Sequence, residues 1–171
     1  ISKLELANAD YSKVNTAKAN AEAVLASSEA QYYTQASKTA VTAAINAVVY
    51  NLKSSEQARV DGFADAINNA VAALAYLPID TTGYTAAKAT IPSDLSVYTD
   101  ASVKAVNDAV SAIDTFLAGN VNIKNQSELD ALVADLTDAI SKLAYKAADY
   151  TAVTAAVERA NALNADNYVD F

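Results

Sequence analysis

Residues 33–48 read YTQASKTAVTAAINAV, and residues 98–113 read YTDASVKAVNDAVSAI. The two stretches align without a gap, and apolar residues recur in both every three or four positions, as at Val41, Ile45 and Val48. This spacing places the apolar side chains on one face of an α-helix. A chain that contains the same amphipathic helix twice is typical of a repeat protein.

Other parts of the chain repeat as well. Residues 60–76, VDGFADAINNAVAALAY, match residues 129–145, LDALVADLTDAISKLAY, along the apolar stripe of a second helix. The sequence from Asp10 to Val14 similarly matches that from Asp149 to Val153, and a weaker copy begins at Gly83. Each repeat therefore contains three predicted helices, which we label A, B and C.

The start of the chain indicates the length of the repeat. Ile1-Ser2-Lys3-Leu4 is identical to Ile140-Ser141-Lys142-Leu143, so the two copies are separated by two repeats of about 70 residues. We expect an all-α chain of tandem three-helix bundles, with two complete repeats and partial flanking repeats in an elongated array. The predicted boundaries are 1–9 for the end of a preceding helix C, 10–77 for repeat 1, 78–83 for a joint, 84–146 for repeat 2 and 147–171 for the first part of a following repeat.

Several helix ends are predicted from local residues. Thr34 is expected to cap the first helix B, since its hydroxyl can accept a hydrogen bond from a free N–H of the first turn. Residues Ser54 to Gln57 fit a capping box at the start of the first helix C. Asn125 or Ser127 is expected to cap the second helix C, and Pro92 should end the second helix A.

The two joints are predicted to differ. Leu129 to Ala160 contains neither Gly nor Pro, so helix C of repeat 2 should continue into the next helix A and form a stiff joint. Residues 78–83 contain Pro78 and Gly83 and predict a bent joint. The second connection between helices B and C, around Gly119, is expected to be longer than the first.

The residue types exclude several classes of function. The chain contains three Gly and two Pro, which favours helix, and it has no His, Cys, Met or Trp. Its net charge of −8 disfavours binding to nucleic acid, because phosphate backbones are also negative. No apolar run approaches the ~20 residues that insertion into a membrane requires. We predict no catalytic, cofactor-binding or metal-binding residues, no cofactor and no enzymatic activity.

Carboxylates are the remaining candidates for chemistry. Asp61 and Asp65 lie one helical turn apart, and we interpret them as part of a solvated helix face. Asp80 and Asp94 lie in or beside loops, where Asp commonly caps helices. A weak cation site near residues 78–83 is the alternative interpretation.

The ten tyrosines are the most informative polar residues. A tyrosine can bury a large ring while its hydroxyl keeps a polar partner. Tyrosines that recur between repeats are assigned to the fold, as rings that close helix ends and joints: Tyr11, Tyr33, Tyr76, Tyr84, Tyr98, Tyr145, Tyr150 and Tyr168. Tyr32 and Tyr50 have no counterpart, since Val97 and Thr115 take their places. They are the candidate ligand-contact residues, and two scattered exposed aromatics are the alternative.

Some residues in this pattern resemble a known family. Leu95-Ser96 precedes Tyr98-Thr99 and Ala101-Ser102, Leu143-Ala144 ends helix C, and Ala160-Asn161-Ala162-Leu163 leads to Tyr168. This arrangement resembles the FIVAR module (found in various architectures) of bacterial surface proteins. The resemblance implies three-helix bundles within secreted or wall-attached proteins, which act as spacer or attachment modules and carry no catalytic motif.

Two hypotheses of function follow. In the first, the chain is a non-enzymatic extracellular stalk or spacer, excised from a longer array, whose partners are neighbouring domains of the same polypeptide. In the second, it is an adhesin-type recognition module that binds a host protein or a glycan through a helical face bearing tyrosines. The sequence names no ligand for the second hypothesis.

Overall fold

A computed structural model of the chain describes residues 5–163. Within this range there are seven α-helices and no β-strand, so the predicted all-α class is confirmed. The helices are α1 (Ser12–Ala26), α2 (Gln35–Asn46), α3 (Gln57–Ala72), α4 (Thr82–Ala89), α5 (Asp100–Leu117), α6 (Gln126–Ser141) and α7 (Thr151–Asn161). Short 3-10 turns cover Ser28–Tyr32, Ser54–Glu56 and Ile123–Asn125. The predictions for residues 1–4 and for Tyr168 lie outside the described residues. Residues 5–9, which were expected to end a preceding helix C, are not helical, and Asn8 instead bridges Lys53.

Helices α1, α2 and α3 pack around one apolar core, and we call them the first helix group. Both α1 and α2 pack on α3. In α1 and α3 the buried residues recur every three or four positions, as the sequence pattern predicts. The buried residues of the core are Ala9, Val14, Ala17, Ala21, Val41, Val60, Ala64 and Ile67. Alanines occupy the contact between α1 and α3, and small side chains there let the two helices approach closely.

Helices α4, α5 and α6 pack around a separate core, and we call them the second helix group. Its buried residues are Tyr84, Val106, Ile113, Leu129 and Leu136. Helix α4 has 8 residues where α1 has 15, whereas α5 has 18 residues where α2 has 12. The two groups therefore use the same helix order with different helix lengths.

Threonine caps begin the middle helix of each group. The Thr34 hydroxyl accepts a hydrogen bond from the Ser37 N–H, which confirms the predicted cap, and Thr99 accepts from Ser102 in the same way. Each threonine takes up an extended backbone conformation, as an N-cap residue normally does. The matching caps explain why the sequences after Tyr33 and Tyr98 agree so well.

The predicted caps of α3 and α6 are corrected by the structure. Ser54 begins a 3-10 turn in which no side chain caps the helix, so the expected capping box is absent there. Before α6, the capping box forms one turn earlier than predicted, between Asn122 and Asn125. Ser127 takes no part in this cap. In both groups a 3-10 turn precedes the helix and satisfies its first free N–H groups.

The connections around α4 and α5 also differ from expectation. Helix α4 ends at Ala89, three residues before Pro92, so the helix stops ahead of this proline as predicted. The prediction of a longer second connection is wrong: residues 118–122 are fewer than residues 47–53 of the first group, because the extra residues lengthen α5 instead. In the first group α2 ends early, and Asn51 takes a left-handed conformation (φ 67°) that reverses the chain. Asn tolerates this conformation better than most residues.

The predicted continuous helix from Leu129 to Ala160 is wrong. Helix α6 ends at Ser141, and α7 begins only at Thr151. Between them the backbone leaves the helix because the groups around Tyr145 pair with residues 97–99 instead. The absence of Gly and Pro permits a helix at this point but does not require one.

Candidate functional site

Two stacked tyrosine pairs lie at equivalent places in the two groups. The ring centroids of Tyr33 and Tyr76 are 4.9 Å apart, and those of Tyr98 and Tyr145 are 4.7 Å apart. The hydrogen bond with Tyr76 raises the pKa of Tyr33, and that with Tyr145 raises the pKa of Tyr98. Tyr33 and Tyr98 therefore remain uncharged at neutral pH, and the stacked rings stabilise the contact in each group.

Backbone bridges accompany these two pairs. In the first group the Thr34 N–H donates to the Ala75 carbonyl at 2.8 Å, and the Leu77 N–H donates to the Tyr32 carbonyl at 2.7 Å. The second group has the equivalent bonds, from Thr99 to Ala144 (2.8 Å) and from Lys146 to Val97 (2.9 Å). The segment after the third helix is thus fixed to the segment before the second helix.

Tyr11 closes the opposite end of the first group. Its hydroxyl donates to the Val49 carbonyl at 2.8 Å and accepts from the Leu52 N–H at 3.1 Å. Its ring stacks on Tyr50 with a centroid distance of 5.2 Å. Tyr150 stands at the same place before α7 but is exposed. The recurring tyrosine therefore serves the fold in the first group.

Tyr84 is in a different register from the one that the sequence suggested. Asp10 and Asp80 each accept a hydrogen bond from the backbone N–H two residues later, at 2.8 Å. Counted from these carboxylates, Tyr84 takes the place of Val14 and not that of Tyr11. Its ring accordingly lies in the core of the second group.

The Tyr84 hydroxyl has polar partners at the edge of that core. It donates to Asp114 Oδ1 at 2.6 Å and accepts from Lys88 Nζ at 3.1 Å. Burial, together with the Asp114 hydrogen bond, raises the pKa of Tyr84. Tyr84 is therefore a core tyrosine whose hydroxyl is fully hydrogen-bonded, with the charged Asp114 and Lys88 at the edge of the core.

The candidate ligand-contact residues Tyr32 and Tyr50 do not form one surface. Tyr32 precedes α2 and is half-buried, whereas Tyr50 follows α2 and is exposed. The 12 residues of α2 separate them, which corresponds to ~18 Å at 1.5 Å per residue. A ligand contacted by one of them would therefore lie at the opposite end of α2 from the other.

A glutamine clasp holds the segment before the first helix of each group. Gln57 Oε1 accepts from the Asp10 N–H at 2.7 Å, and Gln57 Nε2 donates to the Asp10 carbonyl at 2.9 Å. Gln126 makes the same two bonds with Asp80, at 2.8 and 3.0 Å. Each glutamine amide thus pairs with the backbone N–H and carbonyl of one residue, as a neighbouring β-strand would.

The two groups meet at Leu77. Its N–H donates to Tyr32 in the first group, and its carbonyl accepts from the Ile123 N–H of the second group at 3.0 Å. One residue of the connector is therefore hydrogen-bonded to both groups at once. The joint predicted for residues 78–83 lies directly after this residue.

A cation reinforces the same junction. Lys124 Nζ of the second group lies 2.9 Å from Glu29 Oε2 of the first group and 5.4 Å from the centre of the Tyr76 ring. The hydrogen bond to Glu29 raises the pKa of Lys124. An ion pair combined with a cation–π contact is directional, so it favours one relative orientation of the groups.

Sequence reasoning missed the residues of the clasp and the junction. Gln57 and Gln126 stand three residues before the matching Val60 and Leu129, so their recurrence was visible in the alignment. Lys124 has no such signal, because Ser55 occupies its place in the first group. Its role depends on a contact between repeats, which a single sequence does not display.

Other surface features are limited in the part of the chain that the structure describes. A shallow groove of about 350 Å³ lies between α1 and α3 and is lined by residues such as Thr16, Asn20 and Asn68. Between residues 5 and 163, His, Cys, Asp and Glu nowhere form a group of three or more that could hold a metal ion. In the same range, no helix has the length and apolar character needed to span a bilayer.

Comparison with known proteins found no matching family model, no matching curated protein and no matching solved structure.

Proposed function

We propose that this chain is a non-enzymatic spacer, built from tandem three-helix bundles, that holds other domains of its polypeptide at a distance in a semi-rigid array. The observation that carries the proposal is the position of Leu77, whose N–H and carbonyl are bonded to different helix groups. A flexible linker would leave its peptide groups to water. A connector bonded on both sides transmits the orientation of one group to the next.

The repetition of contacts supports an array. The glutamine clasp, the stacked tyrosine pair and the threonine cap all occur once in each group. In repeat proteins such contacts between neighbours add up along the chain, and stability depends on adjacent units. The spacer is proposed to continue through residues 147–171 as the first part of a following bundle.

The proposed location is extracellular, in a secreted or wall-attached bacterial protein, and its basis is the FIVAR resemblance of residues such as Tyr98-Thr99 and Leu143-Ala144. A chain without cysteine needs no disulfide to fold in such a place. The net charge of −8 favours solubility of an exposed stalk.

A reach assay on a cell surface tests the spacer function. The chain is placed between a wall anchor and an epitope, and a Gly/Ser linker of equal residue number serves as the control. A flexible linker of n residues has a mean span of ~5–6 Å × √n. We expect the helical chain to expose the epitope above a dense surface layer that hides the Gly/Ser control. Equal exposure of both epitopes would contradict a spacer role.

A recognition module remains the second candidate, because Tyr50 is 46% exposed and stacks on Tyr11. Exposed stacked aromatics are suited to binding a sugar face or a protein surface. A glycan array and host-protein pull-down with the full chain would test this candidate. Binding that is lost in Tyr50→Ala and retained in Tyr32→Ala would support it, since the two residues lie at opposite ends of α2.

A further inference from the structure

Helix α7 presents an apolar face that the corresponding helix α1 buries. Val153 stands where α1 has Val14, but Val153 is 58% exposed and Val14 is fully buried. Ala156 and Ala160 similarly match Ala17 and Ala21, which contact α3. None of the other described helices packs along α7. The helix therefore has the residues of a packed element without a packing partner among residues 5–163.

The polar groups before α7 are already arranged as in the other groups. Asp149 accepts a hydrogen bond from the Thr151 N–H at 2.8 Å, as Asp10 and Asp80 do from their own residues two positions later. The hydroxyl and N–H of Thr151 lower the pKa of Asp149, which therefore carries its charge at neutral pH. In the described part of the chain no glutamine clasps the Asp149 peptide.

Lys146 occupies the place that Leu77 has at the first junction. Its N–H donates to the Val97 carbonyl at 2.9 Å, which matches the bond from Leu77 to Tyr32. The Leu77 carbonyl also accepts a bond from the second group, whereas within the described residues no N–H donates to the Lys146 carbonyl. At Lys146 the bond to the preceding helix group is therefore formed, and the bond to a following unit has no donor within the described residues.

The neighbouring tyrosine shows the same difference. Tyr76 is 37% exposed beneath Lys124, whereas the equivalent Tyr145 is 71% exposed. Lys124 lies over the Tyr76 ring, whereas within residues 5–163 no cation lies over the Tyr145 ring. A cation from a further unit would fit over this ring.

We propose that Tyr145, Lys146, Asp149 and the Val153, Ala156 and Ala160 face of α7 form a C-terminal docking surface for a two-helix partner of the α2–α3 kind. This inference rests on the proposed function and names the partner that the array requires. The partner supplies an apolar stripe for α7, a glutamine for the Asp149 peptide and a linker N–H for the Lys146 carbonyl.

The arrangement favours this partner over other apolar occupants. A lipid surface or an apolar small molecule would cover Val153 but would offer no hydrogen bonds to the backbone of Asp149 or to the Lys146 carbonyl. Burying these polar groups without partners costs free energy. A helix pair like α2–α3 satisfies all of these groups in the register seen at the Gln57 and Gln126 clasps.

The test extends the full chain by a helix pair from its own sequence. Residues 37–80 are appended after Phe171, and in a second extended chain residues 102–149 are appended instead, each continuing the match between Tyr168 and Tyr33 or Tyr98. Hydrogen exchange is then measured for the amides of residues 154–161. We expect exchange in both extended chains to be about tenfold slower or more than in the 1–171 chain, because α7 becomes part of a packed unit.

Two variants serve as controls. An appended segment carrying Gln57→Ala and Val60→Asp should leave α7 exchanging as in the 1–171 chain. Val153→Asp in either extended chain should remove the protection of α7 and leave that of α1–α6 unchanged. Protection that survives both changes would contradict the proposal, as would unchanged α7 exchange in both extended chains.

The same experiment separates this inference from the proposed function. If the 1–171 chain alone protects α7 at higher concentration and sediments as a dimer, the occupant is a second copy and the proposal is wrong. If α7 gains protection but the relative orientation of the first two groups varies, the docking proposal is supported and the proposal of a semi-rigid spacer is wrong. If that orientation is fixed while α7 stays unprotected, only the docking inference fails.

Discussion

At the scale of single residues, the most consequential side chains are the two glutamines of the clasp. Gln57 and Gln126 each make two hydrogen bonds to the backbone of one residue in the preceding segment. They hold the entry to the first helix of their group against the start of the third. This position was not predicted from the sequence, because Gln57 was assigned to a capping box with Ser54.

Replacement of Gln57 tests the clasp. Gln57→Ala removes both bonds to Asp10, and we expect a loss of about 1–2 kcal/mol in the free energy of unfolding. Gln35→Ala is the matched control, since Gln35 is exposed and bonds only to Thr39 within its own helix. Urea denaturation measures both variants. A loss as small for Gln57→Ala as for Gln35→Ala would show that the clasp contributes nothing.

The aspartates before the first helices predict a dependence on pH. The Ser12 N–H and hydroxyl lower the pKa of Asp10, and Thr82 does the same for Asp80. A carboxyl whose folded pKa lies below its unfolded value of ~3.9 stabilises the fold above that value. This contribution is lost as the pH falls through the lowered pKa. The chain should therefore lose stability in acid.

Asp10→Asn isolates this effect. Asparagine can accept the same bond from Ser12 but does not titrate in this range. We expect the melting temperature of the variant to fall less than that of the unchanged chain between pH 5 and pH 2. The control is Asp135→Asn, on the exposed face of α6. Parallel pH profiles for all three chains would contradict the assignment.

At the scale of helices, the sequence predicted the order and the buried faces of the elements well, but it merged α6 and α7 into one helix. Apolar spacing is local, so Val60 and Ile67 could be assigned to the core without knowledge of the rest. Helix ends were predicted less well. The end of α6 depends on pairing of the backbone near Tyr145 with residues 97–99, and no local signal records that competition.

The register of Tyr84 shows the same limit. Its sequence neighbours, Gly83 and Thr85, suggested a match to Tyr11, whereas the capping carboxylate of Asp80 places it at Val14. The aspartate aligns the repeats more reliably than the tyrosine does, because the first helix of every repeat needs an acceptor for its free N–H groups.

Packing of the first helix can be tested by one substitution at two equivalent places. Ala17→Leu in α1 adds volume to the closed contact with α3, and we expect a loss of about 1–3 kcal/mol. Ala156→Leu makes the same change on the open face of α7 and should alter stability by about 0.5 kcal/mol or less. Thermal and urea unfolding of both variants measure the difference. Equal losses would mean that α7 is packed in the 1–171 chain.

At the scale of the whole molecule, the behaviour of the chain depends on the junction between the two helix groups. The shared hydrogen bonds of Leu77 and the contacts of Lys124 with Glu29 and Tyr76 fix one relative orientation. The contacts of Lys124 have no signature in the repeat, because Ser55 takes its place in the first group, so the sequence predicted a bent joint without them. The spacer proposal depends on whether they hold in solution.

Lys124→Ala tests the ionic part of the junction. The substitution removes the ion pair with Glu29 and the contact with the Tyr76 ring, and we expect the relative orientation of the groups to become more variable. High salt should have a smaller effect in the same direction, since it screens exposed ion pairs. Lys104→Ala is the control, because Lys104 pairs with Asp108 inside one helix. Loss of orientation in both variants would indicate a general destabilisation instead.

The most direct test of the central claim is a distance measurement between the two groups. The chain has no cysteine, so spin labels can be placed uniquely through Ala40→Cys on α2 and Ala112→Cys on α5, both exposed. Double electron–electron resonance should give one narrow distribution of distances between the two labels in the full chain and a broader one in Lys124→Ala. A broad distribution in the full chain, unchanged by Lys124→Ala, would contradict a semi-rigid spacer.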